Sequence, residues 1–61
     1  MAFEIGEIVR GRVCGTFRIC EFVTCYDMPS VRLKEVHPDD HDHESRSPKL
    51  LMPVDSIRKL A

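Results

Sequence analysis

No apolar run in this 61-residue chain approaches the roughly 20 residues that a membrane-spanning helix requires. The longest is Leu50-Leu51-Met52-Pro53-Val54. The opening MAFEIGEIVRGRV lacks the apolar core of a secretory signal, so the expectation is a soluble, cytoplasmic protein with no membrane partner. Cysteines do not come in an even number. Cys14, Cys20 and Cys25, without a signal sequence, argue against a disulfide framework. An excess of one charge sign is missing too: nine Lys/Arg face ten Asp/Glu, for a net charge of −1. That weighs against nucleic-acid binding, whose domains are clearly basic. Aromatic residues make up 7% and tryptophan is absent, so only Phe22 and Tyr26 are placed to stack on bases. The chain is too short for a two-domain enzyme, a helical solenoid or a substrate-enclosing barrel, and one domain spanning residues 1–61 is expected. It contains no internal repeat, no low-complexity tract and no 3.6-residue apolar stripe sustained over three turns.

What the sequence does contain is an ordinary globular balance, 43% hydrophobic and 31% charged. A domain of ~60 residues buries only about 60% of the surface its unfolded chain exposes, so a single small core is marginal. With disulfides and metals disfavoured, self-association is the remaining common support, and a homo-oligomer is expected. The charge is unevenly spread. Residues 37–48 carry Asp39, Asp40, Asp42 and Glu44 against Arg46, a local −3, and the remainder is +2. His37, His41 and His43 all fall in the acidic stretch, which reads as an exposed loop without regular structure, bracketed by Pro38 and Pro48.

Period-2 alternation identifies the strands. Over residues 7–13, Val9, Gly11 and Val13 share one face, and Ile8, Arg10 and Arg12 the other. Gly15-Thr16 reads as a turn. Residues 16–26 are rich in β-branched and aromatic side chains. Strict alternation groups Phe17, Ile19, Val23 and Cys25 against Arg18, Cys20, Phe22 and Thr24. Apolar residues on both faces imply a strongly bent strand, or one whose outer face meets another subunit. Asp27-Met28-Pro29-Ser30 reads as a turn built on Pro29. Residues 31–36 place Val31 and Leu33 inward and Arg32 and Lys34 outward. Residues 49–53 form a fourth strand, Val54-Asp55-Ser56 a helical turn, and Ile57–Leu60 a short last strand. The fold class expected is all-β: a small five-stranded SH3-like barrel with one long acidic loop.

At the level of motifs the chain resembles the plasmid-encoded type II dihydrofolate reductases, which are SH3-like barrels. Their opening Phe-x-x-Gly-Asp-x-Val-Arg is similar to Phe3, Gly6, Glu7, Val9 and Arg10; their Glu-x-His-Pro matches Glu35-Val36-His37-Pro38; their closing Pro-Val-x-x-Leu-x-Arg is similar to Pro53-Val54-Asp55-Ser56-Ile57-Arg58-Lys59. The match runs in order over nearly the whole chain, with a deletion near Val13 and an insertion after Pro38. The resemblance implies a homotetramer whose pore holds NADPH and dihydrofolate on a Val-Gln-Ile-Tyr strand. The matching positions here are Lys49, Leu50, Leu51 and Met52. Gln is replaced by Leu50 and Tyr by Met52, and the family's ligand-attracting lysine falls on Gly11, with Arg12 following. A site that relies on amide and phenol hydrogen bonds loses its partner when those groups vanish. The resemblance therefore supports fold and assembly, and argues against the reaction.

The candidate site residues follow from these readings. Leu50, Leu51 and Met52, apolar on both faces of one strand, are assigned to a subunit interface or pore lining. His37 joins them because its counterpart in the resembled family lies at a subunit interface, where an imidazole would make assembly sensitive to pH. Arg10, Arg12, Arg18, Arg32 and Lys34 occupy outward positions and form a possible basic face for nucleic acid; a solvated mixed-charge face, with Glu7, Glu21 and Glu35 interspersed, is the preferred reading. His41, His43 and Asp39 are candidate metal ligands, but their spacing matches no recognised pattern, so no metal is assigned. The C-x5-C-x4-C spacing lacks the close pair of a zinc site, and the cysteines read as small apolar fillers. No catalytic residue and no cofactor is assigned. The leading reading is a non-enzymatic, self-associating barrel whose protein partner is not identified. The alternatives are an NADPH-dependent reductase of the type II kind and a nucleic-acid-binding barrel.

Overall fold

The structure is a computed structural model that describes residues 3–12 and 14–60; Val13, expected on the inward face of the first strand, lies outside the described residues. The chain is all-β. It runs β1 (Ile8–Gly11), β2 (Thr16–Cys25), β3 (Met28–His37), β4 (Asp40–Glu44), β5 (Leu50–Pro53), a 3-10 turn (Val54–Ser56) and β6 (Ile57–Lys59). Every pairing is antiparallel, in the order β4-β3-β2-β1-β6, with β5 also on β3. β3 pairs with β2 over almost its full length. Its other edge is shared, β5 pairing with Ser30–Leu33 and β4 with Val36 and His37. The sheet is not closed, since β5 and β6 are not hydrogen-bonded to each other. No helix among the described residues is long and apolar enough to cross a membrane.

Strand count and the acidic segment both depart from expectation. Among the described residues six strands are present, and the additional one lies where an unstructured loop was expected: β4 is Asp-His-Asp-His-Glu. Such a sequence has poor strand propensity, so β4 is held from outside itself. Arg18 on β2 donates to Glu44 at 2.8 Å, lies 3.7 Å from Asp42 and also donates to the His41 carbonyl. Beyond β4, Ser45 N–H donates to the Glu35 carbonyl at 2.9 Å.

A second correction concerns β2. The register slips between Ile19 and Glu21, leaving Cys20 as an extra residue opposite β3. Such a bulge bends the strand and exchanges its faces. Phe22 pairs with Val31 and so joins the face of Phe17 and Ile19, whereas Val23 and Cys25 turn to the outer face. The β2–β3 turn is also shorter and earlier than expected. Tyr26 and Asp27 both have positive φ (52° and 61°), and Cys25 pairs with Met28. This is a two-residue loop of the type that matches strand twist. Pro29 lies within β3, where alternation of bonded and non-bonded pairs points its nitrogen away from β2.

The core is Val9, Phe17, Ile19, Val31, Leu33 and Ile57, with Phe3, Met52 and Val54 packed against it. Two glycines make room for Phe17. A Cβ on Gly11 would lie 2.7 Å from the Cys14 carbonyl oxygen and 2.9 Å from the Phe17 ring. A Cβ on Gly15, whose φ is +99°, would lie 2.8 Å from the same ring. Gly15→Ala therefore combines a strained backbone with displacement of a core aromatic. Its expected cost is about 2–3 kcal/mol in urea denaturation; a change below ~0.5 kcal/mol would contradict this packing.

Candidate functional site

Residues facing each other on paired strands share one face of the sheet, so the register assigns every side chain of β5. Leu50 opposes Leu33 and Met52 opposes Val31, which puts both on the core face. Met52 packs against the core, while Leu50, on the same face, is 43% exposed. Leu51 opposes Arg32 and is the one leucine of β5 that turns outward, 46% exposed. The three residues expected to act together are thus divided between two faces.

Leu51 borders a shallow apolar cleft of about 280 Å³, lined by Cys25, Tyr26, Met28, Ser30, Met52 and Pro53. The bulge at Cys20 creates this cleft by turning Cys25 outward, opposite Met28. Its floor is Ser30, a buried residue whose hydroxyl donates to the Met28 carbonyl at 3.2 Å. Its rim is Tyr26, 99% exposed and held in the left-handed region at the hairpin tip, a conformation costing an L-residue about 1–2 kcal/mol. Met28 beside it is exposed as well. Among the described residues β5 has β3 as its one neighbour, so its other edge offers unpaired backbone groups next to this apolar surface. In the sequence Tyr26 stands out only as an aromatic that could stack on bases, and Met28 not at all; neither is placed beside β5. A Tyr-Asp pair between two strand-forming runs is the signal that could have located the tip.

His37 stands apart from β5. It lies four residues along β3 from the Leu33–Leu50 pair. Its Nδ1 accepts from Asp39 N–H at 3.1 Å, and its ring meets that of His43 edge-on, with centroids 6.1 Å apart. Within one chain His37 therefore lies apart from Leu50, Leu51 and Met52. Among the described residues no three His, Cys, Asp or Glu side chains are gathered as metal ligands, so Asp39, His41 and His43 do not make a centre. The three cysteines are free thiols.

The basic face is divided rather than continuous. Arg18 is bound to β4, Arg32 pairs with Glu21 at 2.7 Å, and Lys34 donates to the Ser47 carbonyl at 2.6 Å. Arg10 and Arg12 are exposed at the far end of the sheet, where Arg10 lies directly opposite Arg58 on β6. Glu44 and Glu21 offset the charges of Arg18 and Arg32 in the middle of the face, and the Ser47 carbonyl holds Lys34 there.

Comparison of the chain with family models, with curated proteins and with solved structures returned no match.

Proposed function

We propose that this chain is a non-enzymatic binding module, a small SH3-like barrel that self-associates through β5 and the tip of the β2–β3 hairpin. The observation that carries the proposal is the apolar cleft of Cys25, Tyr26, Met28, Leu51 and Pro53 beside a strand with one open edge. The occupant is a second copy of the chain. Among the described residues the buried apolar side chains are Val36 and the six of the core; a domain of this length has a marginal core, and association adds apolar burial. A β5 edge meeting another β5 edge satisfies backbone groups that otherwise face water. Support for the SH3-like part comes from connectivity: β6-β1-β2-β3-β5 in space, a bulged and bent β2, and one 3-10 turn between β5 and β6.

Kinship with the type II reductases belongs to this proposal as a likeness of fold. It does not extend to their chemistry, because Leu50 and Met52 present hydrocarbon and thioether where NADPH and dihydrofolate would need hydrogen-bond partners.

Amide ¹H–¹⁵N spectra recorded from about 20 µM to about 1 mM protein test the module. The expected result is concentration-dependent shifts at Cys25–Met28 and Leu50–Met52, with the β1–β6 end unchanged by concentration and no shift at residues 49–53 on adding NADPH. Spectra invariant with concentration would remove the self-association. Saturable NADPH shifts at residues 49–53 would establish the reductase alternative instead.

A further inference from the structure

The β1–β6 end of the sheet carries a second concavity, of different chemistry. A cleft of about 450 Å³ is bordered by Arg10, Arg12, Thr16 and Arg58, with Gly11 and Gly15 in its wall and no Asp or Glu in its lining. That is the size range of a small-molecule site. Arg10 and Arg58 occupy directly opposed positions on paired antiparallel strands. Two like charges in that arrangement repel each other and destabilise the sheet. In the middle of the outer face Arg18 has Glu44, Arg32 has Glu21, and Lys34 has the Ser47 carbonyl. Lys59, which also touches the cleft, donates to Glu7 at 3.2 Å and lies over the Phe3 ring. Among the described residues the side chains of Arg10, Arg12 and Arg58 contact no carboxylate. An uncompensated like-charge pair beside a third arginine is the electrostatic arrangement that a multiply charged oxyanion relieves.

We propose that this cleft binds a phosphate-bearing small ligand through Arg10, Arg12 and Arg58. Guanidinium groups match phosphate oxygens in paired, charge-assisted hydrogen bonds. No aromatic side chain lines the cleft, so a nucleobase finds no stacking platform there and the phosphate itself is the recognised group. The Thr16 hydroxyl, on the strand paired with Arg10, supplies a neutral donor on the same rim.

The test uses pyrophosphate as the probe, followed by amide shifts and thermal unfolding in a buffer of near-physiological salt, where exposed charges are screened beyond about 8 Å. Saturable shifts are expected at Arg10–Thr16 and Ile57–Leu60, together with a rise in the melting temperature. Arg58→Ala is expected to weaken binding roughly tenfold or more. Without ligand it is expected to melt at or above the wild-type temperature, because it removes the repulsion. A purely structural role for Arg58 predicts the reverse, a lower melting temperature with pyrophosphate binding unchanged, and that result would overturn the proposal. Absence of shifts with pyrophosphate overturns it as well. Binding of a single-stranded oligonucleotide in the absence of any response to pyrophosphate overturns the small-ligand assignment and transfers the cleft to a polymer backbone.

Discussion

Replacing Leu33 with alanine will unfold a large share of the protein at ordinary temperature. Leu33 is 0% exposed and central on β3, opposite Ile19 on β2 and Leu50 on β5. Removing a buried leucine side chain down to Cβ costs about 2–5 kcal/mol, the higher figures applying where neighbours cannot close the cavity. Here the neighbours are pinned, since Ile19 adjoins the register slip of β2 and Val31 is fixed by pairing to both Phe22 and Met52. A domain of this length has a total stability of roughly 3–9 kcal/mol, at about 0.05–0.15 kcal/mol per residue. The loss is therefore of the same order as the whole. Urea denaturation followed by far-UV circular dichroism reads it directly, at one fixed protein concentration because association adds to apparent stability. Leu33→Met, which conserves volume, is expected to cost less than about 1.5 kcal/mol. Equal tolerance of Ala and Met would mean that β3 is not the centre of the core.

The second large effect is on assembly. Leu51→Glu places a carboxylate in the middle of the outward apolar cleft, at a position that the monomer leaves half exposed. In the free chain this is a surface change worth about 0.5 kcal/mol or so. In an interface it buries a charge without a partner, and disruption of a central contact typically costs 2 kcal/mol or more. At about 1.4 kcal/mol per tenfold change in affinity, the expected weakening is roughly 30-fold to 100-fold, with an unchanged dichroism spectrum. Leu50→Glu is the informative comparison. Leu50 faces the core side of β5, so the same charge there is expected to lower stability more and to affect association through unfolding. Matching behaviour of the two variants would contradict the division of β5 between two faces.

Much of the strand framework is legible in the sequence, because alternation is a local signal. Val9, Val31 and Leu33 turn inward, Arg32 and Lys34 outward, and the succession of strand, 3-10 turn and short strand after Leu50 is present. What could not be read depends on pairing. Nothing distinguishes Cys20 within a β-branched run, yet as the extra residue of a bulge it exchanges the faces of everything after it. Pro29 outweighed Tyr26-Asp27 as a turn signal because positive φ is costly for tyrosine, so its presence at a tip is not anticipated from propensity. β4 has no apolar alternation at all; Arg18, more than twenty residues away in sequence, holds it in place. The same limit applies to both candidate sites. Leu51 was visible as apolar, but its companions Met28 and Tyr26 come from another hairpin. Arg10 and Arg12 were visible as basic, but it is the β1–β6 register that adds Arg58 to them and separates them from Arg18, Arg32 and Lys34.

Self-association through the β5 edge is the claim on which the functional reading rests, and sedimentation equilibrium of the unmodified protein over a wide concentration range tests it most directly. The account predicts a weight-average mass that rises with concentration to a multiple of the 7.0 kDa chain, and a Leu51→Glu variant that stays at the monomer mass over the same range. A wild-type mass fixed at 7.0 kDa up to about 1 mM, well above the concentrations at which specific interfaces form, would contradict it.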